Sequence, residues 1–68
     1  MQLSARNQLA GTVVAINRGE AIANVELDVA CQRLVASITV EAVAQLGLEA
    51  GTEIVAVIKA SDVMIGIN

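Results

Sequence analysis

Phenylalanine, tyrosine, tryptophan, histidine and proline are all absent from these 68 residues, and cysteine occurs once. Each gap closes a class of explanation. A single thiol, Cys31, builds no disulfide framework, and without histidine or a second thiol no set of four ligands exists for a structural zinc. The missing histidine also removes the usual general base. No Ser, Thr or Cys stands at a recognisable spacing from a lysine or carboxylate that would activate it, so the expectation is a protein that is not an enzyme. The five glycines form no phosphate loop of Walker or Rossmann pattern. Positive charge is scarce and scattered: Arg6, Arg18, Arg33 and Lys59 face seven carboxylates, for a net charge of −3. Nucleic-acid binders carry a basic face, and single-strand binders add aromatic platforms for the bases; this chain has neither. No apolar run reaches the roughly 18 residues of a membrane span, and no basic segment leads into a long apolar stretch at the N-terminus. A soluble, cytoplasmic protein is expected, and a lone thiol suits a reducing compartment.

What is present is aliphatic. Apolar residues make up 56% of the chain, nearly all of them Val, Ile, Ala and Leu. A chain this short is one domain, residues 1–68, and buries only about 60% of the surface that its unfolded form exposes. Its stability alone is marginal, and with disulfide and zinc excluded, oligomerisation is the remaining way to add buried area. So much aliphatic surface on a small body leaves patches of the kind that mark interfaces. A tight homo-oligomer is therefore expected.

Alternation is clearest from Glu20 to Val29, where Ala21, Ala23, Val25, Leu27 and Val29 fall on one face and the carboxylates Glu26 and Asp28 on the other. Those carboxylates read as the wet side of a strand, not as a catalytic pair. Gly11 to Ile16 is a preceding strand, joined to it by the turn chemistry of Asn17-Arg18-Gly19. After a turn at Ala30 to Arg33, in which Cys31 is an incidental free thiol, Leu34, Ala36, Ile38 and Val40 mark a third strand. At Thr39 the period changes: Val40, Val43, Ala44 and Leu46 recur at helical spacing, with Thr39 as N-cap and Gly47 as left-handed C-cap. A turn at Glu49 to Thr52 leads to a strand over Glu53 to Lys59 that is apolar on both faces, with Val55 and Val57 opposite Ile54, Ala56 and Ile58. Such double-sided burial points to a neighbouring subunit. Ala60-Ser61-Asp62 interrupts the pattern, and Val63, Ile65 and Ile67 alternate as a last strand. The element order gives an all-β fold, an OB-like five-stranded barrel with one short helix between the third and fourth strands.

Two clusters of hydrogen-bond donors remain, Ser4-Ala5-Arg6-Asn7-Gln8 and Lys59-Ala60-Ser61. Each joins one cation to one hydroxyl, and neither contains a carboxylate. Such a set suits a fully deprotonated oxyanion, which has only acceptors to offer. The plainer alternative is that Ser4 caps a turn and Lys59 ends a strand. Asp62 follows the second cluster directly; turned inward, its carboxylate would accept the proton of hydrogen phosphate and upset a donor-only site, but strand alternation after Ser61 points it the other way.

Three stretches, SARNQL at Ser4 to Leu9, LGLEAG at Leu46 to Gly51 and VIKASDVMIG at Val57 to Gly66, resemble the Mop domain of the molbindins, small molybdate-binding proteins. The similarity runs over essentially the whole chain. It implies an OB-like barrel assembled as a hexamer, a trimer of dimers, with oxyanions held between subunits. Position by position, Ser4 and Arg6 match the family's anion-contacting serine and arginine, and Lys59 matches its lysine. Ala5, Ala60 and Ser61 fall where the family uses backbone amides and a small hydroxyl. Thr39 corresponds to a threonine near the site in the regulator branch, although Ala42 stands where that branch has a serine. On this resemblance SARNQ is half of a tetrahedral oxyanion site, completed by KAS from a neighbouring chain. The implied function is cytoplasmic binding and storage of molybdate, with tungstate as a substitute. The alternatives are a structural assembly module in which the anion is only glue, and binding of a molybdenum-pterin cofactor. A site made of donors alone ranks molybdate and tungstate first, then sulfate, then phosphate.

Overall fold

The computed structural model describes residues 2–68. Its longest strand, β1 (Asn7–Arg18), is shared by two partners. Over Asn7 to Thr12 it pairs with β4 (Glu53–Ile58), and from Thr12 to Arg18 with β2 (Ile22–Val29). The transfer is made by a bulge. Val13 opposes Leu27 and Ala15 opposes Glu26, so Val14 is inserted without a partner in that ladder, which bends and twists the strand. Gly11 stands just before it for a steric reason: a Cβ there would meet the Asp28 carbonyl oxygen at 2.7 Å and Val29 Cγ2 at 2.8 Å. Only glycine allows β2 this close.

The second hairpin joins β2 to β3 (Gln32–Thr39) through two residues, since Val29 already opposes Gln32. Ala30 and Cys31 both have positive φ, 50° and 65°, the signature of a tight hairpin turn. On the wet face of this hairpin Arg33 is ion-paired with Glu26, and Ser37 donates to Asn24 Oδ1 at 2.6 Å.

Helix α1 (Val40–Leu46) is bounded by the expected caps. Thr39 Oγ1 accepts the Ala42 N–H at 3.0 Å. Gly47 is left-handed at φ 64°, and the N–H groups of Gly47 and Leu48 return to the carbonyls of Ala44 and Val43. The helix buries Val43 alone. That residue joins Val13, Ala23, Val25, Leu27 and Ala56 in a core of six small aliphatic side chains, with Ile16, Leu34, Ile38 and Ile54 among those packed around it. The inner face expected of β2 is the buried one.

The five-stranded barrel is corrected to an open sheet of four antiparallel strands in the order β3-β2-β1-β4. No strand forms over 63–68, where Ile65 and Ile67 are 92% and 95% exposed. Alternation states which side of a strand seeks cover; it does not supply an edge to pair with. A 3₁₀ turn at Ala60–Asp62 ends the run of β4, and beyond it the tail meets no strand of its own chain. Edges β3 and β4 stay open, and between them lies an apolar groove of about 300 Å³ whose lining includes Leu34, Ile38, Ile54 and Ile58. No helix among the described residues is long and apolar enough to cross a membrane.

Candidate functional site

The β1–β4 ladder ends at the pair Asn7–Ile58. Ser4-Ala5-Arg6 immediately precedes that pair and Lys59-Ala60-Ser61 immediately follows it, so antiparallel pairing carries both segments off the same end of the sheet. They line one open cleft of about 580 Å³, together with Val57 and Asp62. The two donor clusters thus meet within a single chain, where the sequence had pointed to a neighbour for the second half.

The amides of SARNQ have a different task from its serine and arginine. Asn7 Nδ2 donates to the Ile58 carbonyl oxygen at 3.3 Å, tying the end of the ladder. Gln8 Nε2 donates to the Ala5 carbonyl oxygen at 3.2 Å, holding the preceding segment in its bend. Ser4 and Arg6 are left exposed at the cleft. On the other wall, the 3₁₀ turn is closed by the Asp62 N–H on the Lys59 carbonyl at 2.9 Å and the Val63 N–H on the Ala60 carbonyl at 3.3 Å. The first N–H groups of such a turn have no partner inside it, which leaves those of Ala60 and Ser61 available. Neither Arg6 nor Lys59 is ion-paired among the described residues, where the one salt bridge is that between Arg33 and Glu26.

Six of the seven expected site residues therefore share the cleft. Thr39 does not line it: it opposes Ile22 at the far end of the β2–β3 ladder and spends its hydroxyl on the helix cap. Two lining residues lay outside the expected set. Val57 is the apolar floor, a position its outward face in β4 made available. Asp62 is brought in by a change of period. A continued strand would have turned it away from its neighbours, whereas the 3₁₀ turn over Ala60–Asp62 brings it to the lining of the cleft. The signal was the break in alternation at Ala-Ser-Asp.

The other polar clefts are less organised. Asp28, Cys31 and Glu53 border a shallow depression beside Gly11 and Thr12, but among the described residues no three His, Cys, Asp or Glu side chains are grouped to hold a metal ion.

Residues 3–65 match the TOBE domain family model. Molybdenum-pterin-binding protein 3 of Clostridium pasteurianum is 48% identical over 66 residues, which span 96% of this chain and 97% of that protein. This chain is a member of the TOBE-domain family, in its molbindin branch. The solved molybdate-binding protein of Sporomusa ovata superimposes on this molbindin with a TM-score of 0.94 at 36% identity, over 98% of this chain and all of that one. ModG, described as a cytoplasmic molybdate-binding protein and solved with molybdate bound, gives a TM-score of 0.94 at 45% identity; the molbindin chain is covered completely and spans 49% of the ModG chain. The fold is thus that of the family, and the cleft at the end of its β1–β4 ladder is built from the segments that carry the resemblance.

Proposed function

We propose that this molbindin binds molybdate reversibly in the cleft formed by Ser4, Ala5, Arg6, Lys59, Ala60 and Ser61, with tungstate as a substitute, and serves as a cytoplasmic store of the anion. The supporting observation is the convergence of the two donor segments at one end of the β1–β4 ladder, with both cations free of ion pairs among the described residues. Molybdate at neutral pH is a dianion with four acceptor oxygens. Arg6 offers a planar fork of N–H donors, Lys59 a mobile ammonium, Ser4 and Ser61 hydroxyls, and Ala60 and Ser61 backbone amides. Binding is charge-assisted hydrogen bonding, and no bond is made or broken.

The cleft is open on one side, and its residues other than Ala5 are exposed. Assembly supplies the missing wall. The working unit is a homo-oligomer, a hexamer arranged as a trimer of dimers, in which a second chain covers the anion and the apolar surface of β4 and the tail together. The name of the Clostridium relative raises a second reading, a molybdenum-pterin ligand. A flat heterocycle needs an apolar or aromatic slot, and this cleft is lined by polar and small side chains with Val57 as its one large apolar residue, so the free oxyanion is the better fit there. Native mass spectrometry with and without added molybdate tests the proposal. The expected result is a hexamer whose mass rises by whole numbers of molybdate ions; a monomer, or an assembly whose mass molybdate leaves unchanged, contradicts it.

A further inference from the structure

The lining of the cleft is not made of donors alone. Arg6 and Lys59 can only donate, Ser4 and Ser61 can do either, and Asp62 can only accept. Its carboxylate forms no hydrogen bond or ion pair among the described residues, although it shares the turn and the cleft with Lys59. Taken with the oxyanion reading of the cleft, on which this rests, we infer that Asp62 is the specificity-determining residue of the site and that it admits oxyanions carrying a proton.

The reasoning is one of matching donors to acceptors. A fully deprotonated tetrahedral anion such as molybdate or sulfate presents lone pairs in every direction, so the oxygen nearest Asp62 meets another acceptor, and like charges add to the cost. Hydrogen phosphate has one O–H, which needs an acceptor that Arg6 and Lys59 cannot supply and that the neutral Ser4 and Ser61 hydroxyls supply less strongly than a carboxylate. Asp62 supplies it. Arg6, on the opposite segment, and Lys59, at the start of the same turn, are the charged groups that share the cleft with the carboxylate, and with them the lining carries a net charge of about one positive unit, modest for holding a dianion. Asp62 therefore weakens molybdate binding overall while narrowing the gap to phosphate, and it reverses the order that a donor-only site gives to sulfate and phosphate. Those two ions are close in size and differ by one proton, so their ratio isolates the carboxylate from the fit of the cleft.

The experiment is a competition titration near neutral pH, in which sulfate and inorganic phosphate displace molybdate from the parent protein, from Asp62→Asn and from Asp62→Ala. Circular dichroism first establishes that both variants are folded. In the parent, phosphate displaces molybdate better than sulfate does. In both variants molybdate and sulfate bind roughly threefold to tenfold more tightly, phosphate gains less, and the phosphate-to-sulfate preference falls. An unchanged phosphate-to-sulfate ratio in both variants overturns the inference, whether all three anions gain equally or none does. Failure of the oxyanion reading looks different: the parent then binds none of the three ions, and the role assigned to Asp62 falls with it.

Discussion

Arg6 and Lys59 are exposed, free of ion pairs among the described residues and set on opposite walls of one cleft, so removing either tests binding without disturbing the core. Arg6→Ala and Lys59→Ala are each expected to weaken molybdate binding by about 1.5–3 kcal/mol, the range for hydrogen bonds to charged groups, with circular dichroism unchanged. Calorimetric titration that finds parental affinity in either variant removes that residue from the site. Arg6→Lys should fall between, because a point charge does not reproduce the guanidinium fork. Thr39 separates from these two by its geometry: its hydroxyl is committed to the Ala42 N–H, so Thr39→Ala should cost about 1 kcal/mol of stability in thermal unfolding. Lost molybdate affinity at undiminished stability would instead return Thr39 to the binding machinery. Residue chemistry made the donors legible, since Ser, Arg and Lys announce what they can offer. Asp62 was less legible: the break in alternation at Ala-Ser-Asp marks where the strand ends, but not that the backbone goes on as a 3₁₀ turn that carries the carboxylate to the cleft.

Among the elements, those with chemical punctuation were readable: Thr39 and Gly47 bound the helix as expected, and β2 shows its buried side plainly. β1 was read short, as Gly11 to Ile16. Its first half pairs with β4 through exposed residues such as Gln8 and Ala10, and so lacks the apolar face that marks a strand. The bulge at Val14 was hidden because Val13, Val14, Ala15 and Ile16 are all apolar and fit either register. Gly11 is the visible trace of that crossing. Gly11→Ala should destabilise the chain by roughly 1–3 kcal/mol, since the backbone of β2 must move to admit a methyl group. A melting temperature equal to the parent's would mean that β1 and β2 are less closely set. The turn at Ala30-Cys31 offers the opposite case, because neither residue favours the positive φ it holds. Replacing the pair by Asn-Gly, through Ala30→Asn and Cys31→Gly, should raise stability by about 1 kcal/mol. A loss on chemical denaturation would show that the turn is not of the type these angles indicate.

For the whole molecule the governing fact is a core of six small aliphatic residues beside a large exposed apolar surface. Val55 and Val57 remain 46% and 44% exposed on the outer face of β4, and the tail from Val63 onward finds no cover in its own chain. Composition foretold that imbalance. Alternation in the tail marks the two faces of a strand but not its partner, and the tail pairs with no strand of its own chain, so the sheet stays open at four strands. If assembly supplies the missing burial, Val55→Asp or Val57→Asp should break the oligomer and unfold the chain in one step, followed by sedimentation velocity and circular dichroism together. A stable, folded monomer from either variant contradicts an obligatory assembly. The central claim, that the cleft at the end of the β1–β4 ladder is the oxyanion site, is tested most directly by equilibrium dialysis against molybdate with molybdenum quantified on both sides of the membrane. The parent should retain molybdate in simple proportion to the number of chains, and the folded double variant Arg6→Ala with Lys59→Ala should retain none above background. Equal retention by the two proteins would contradict the account.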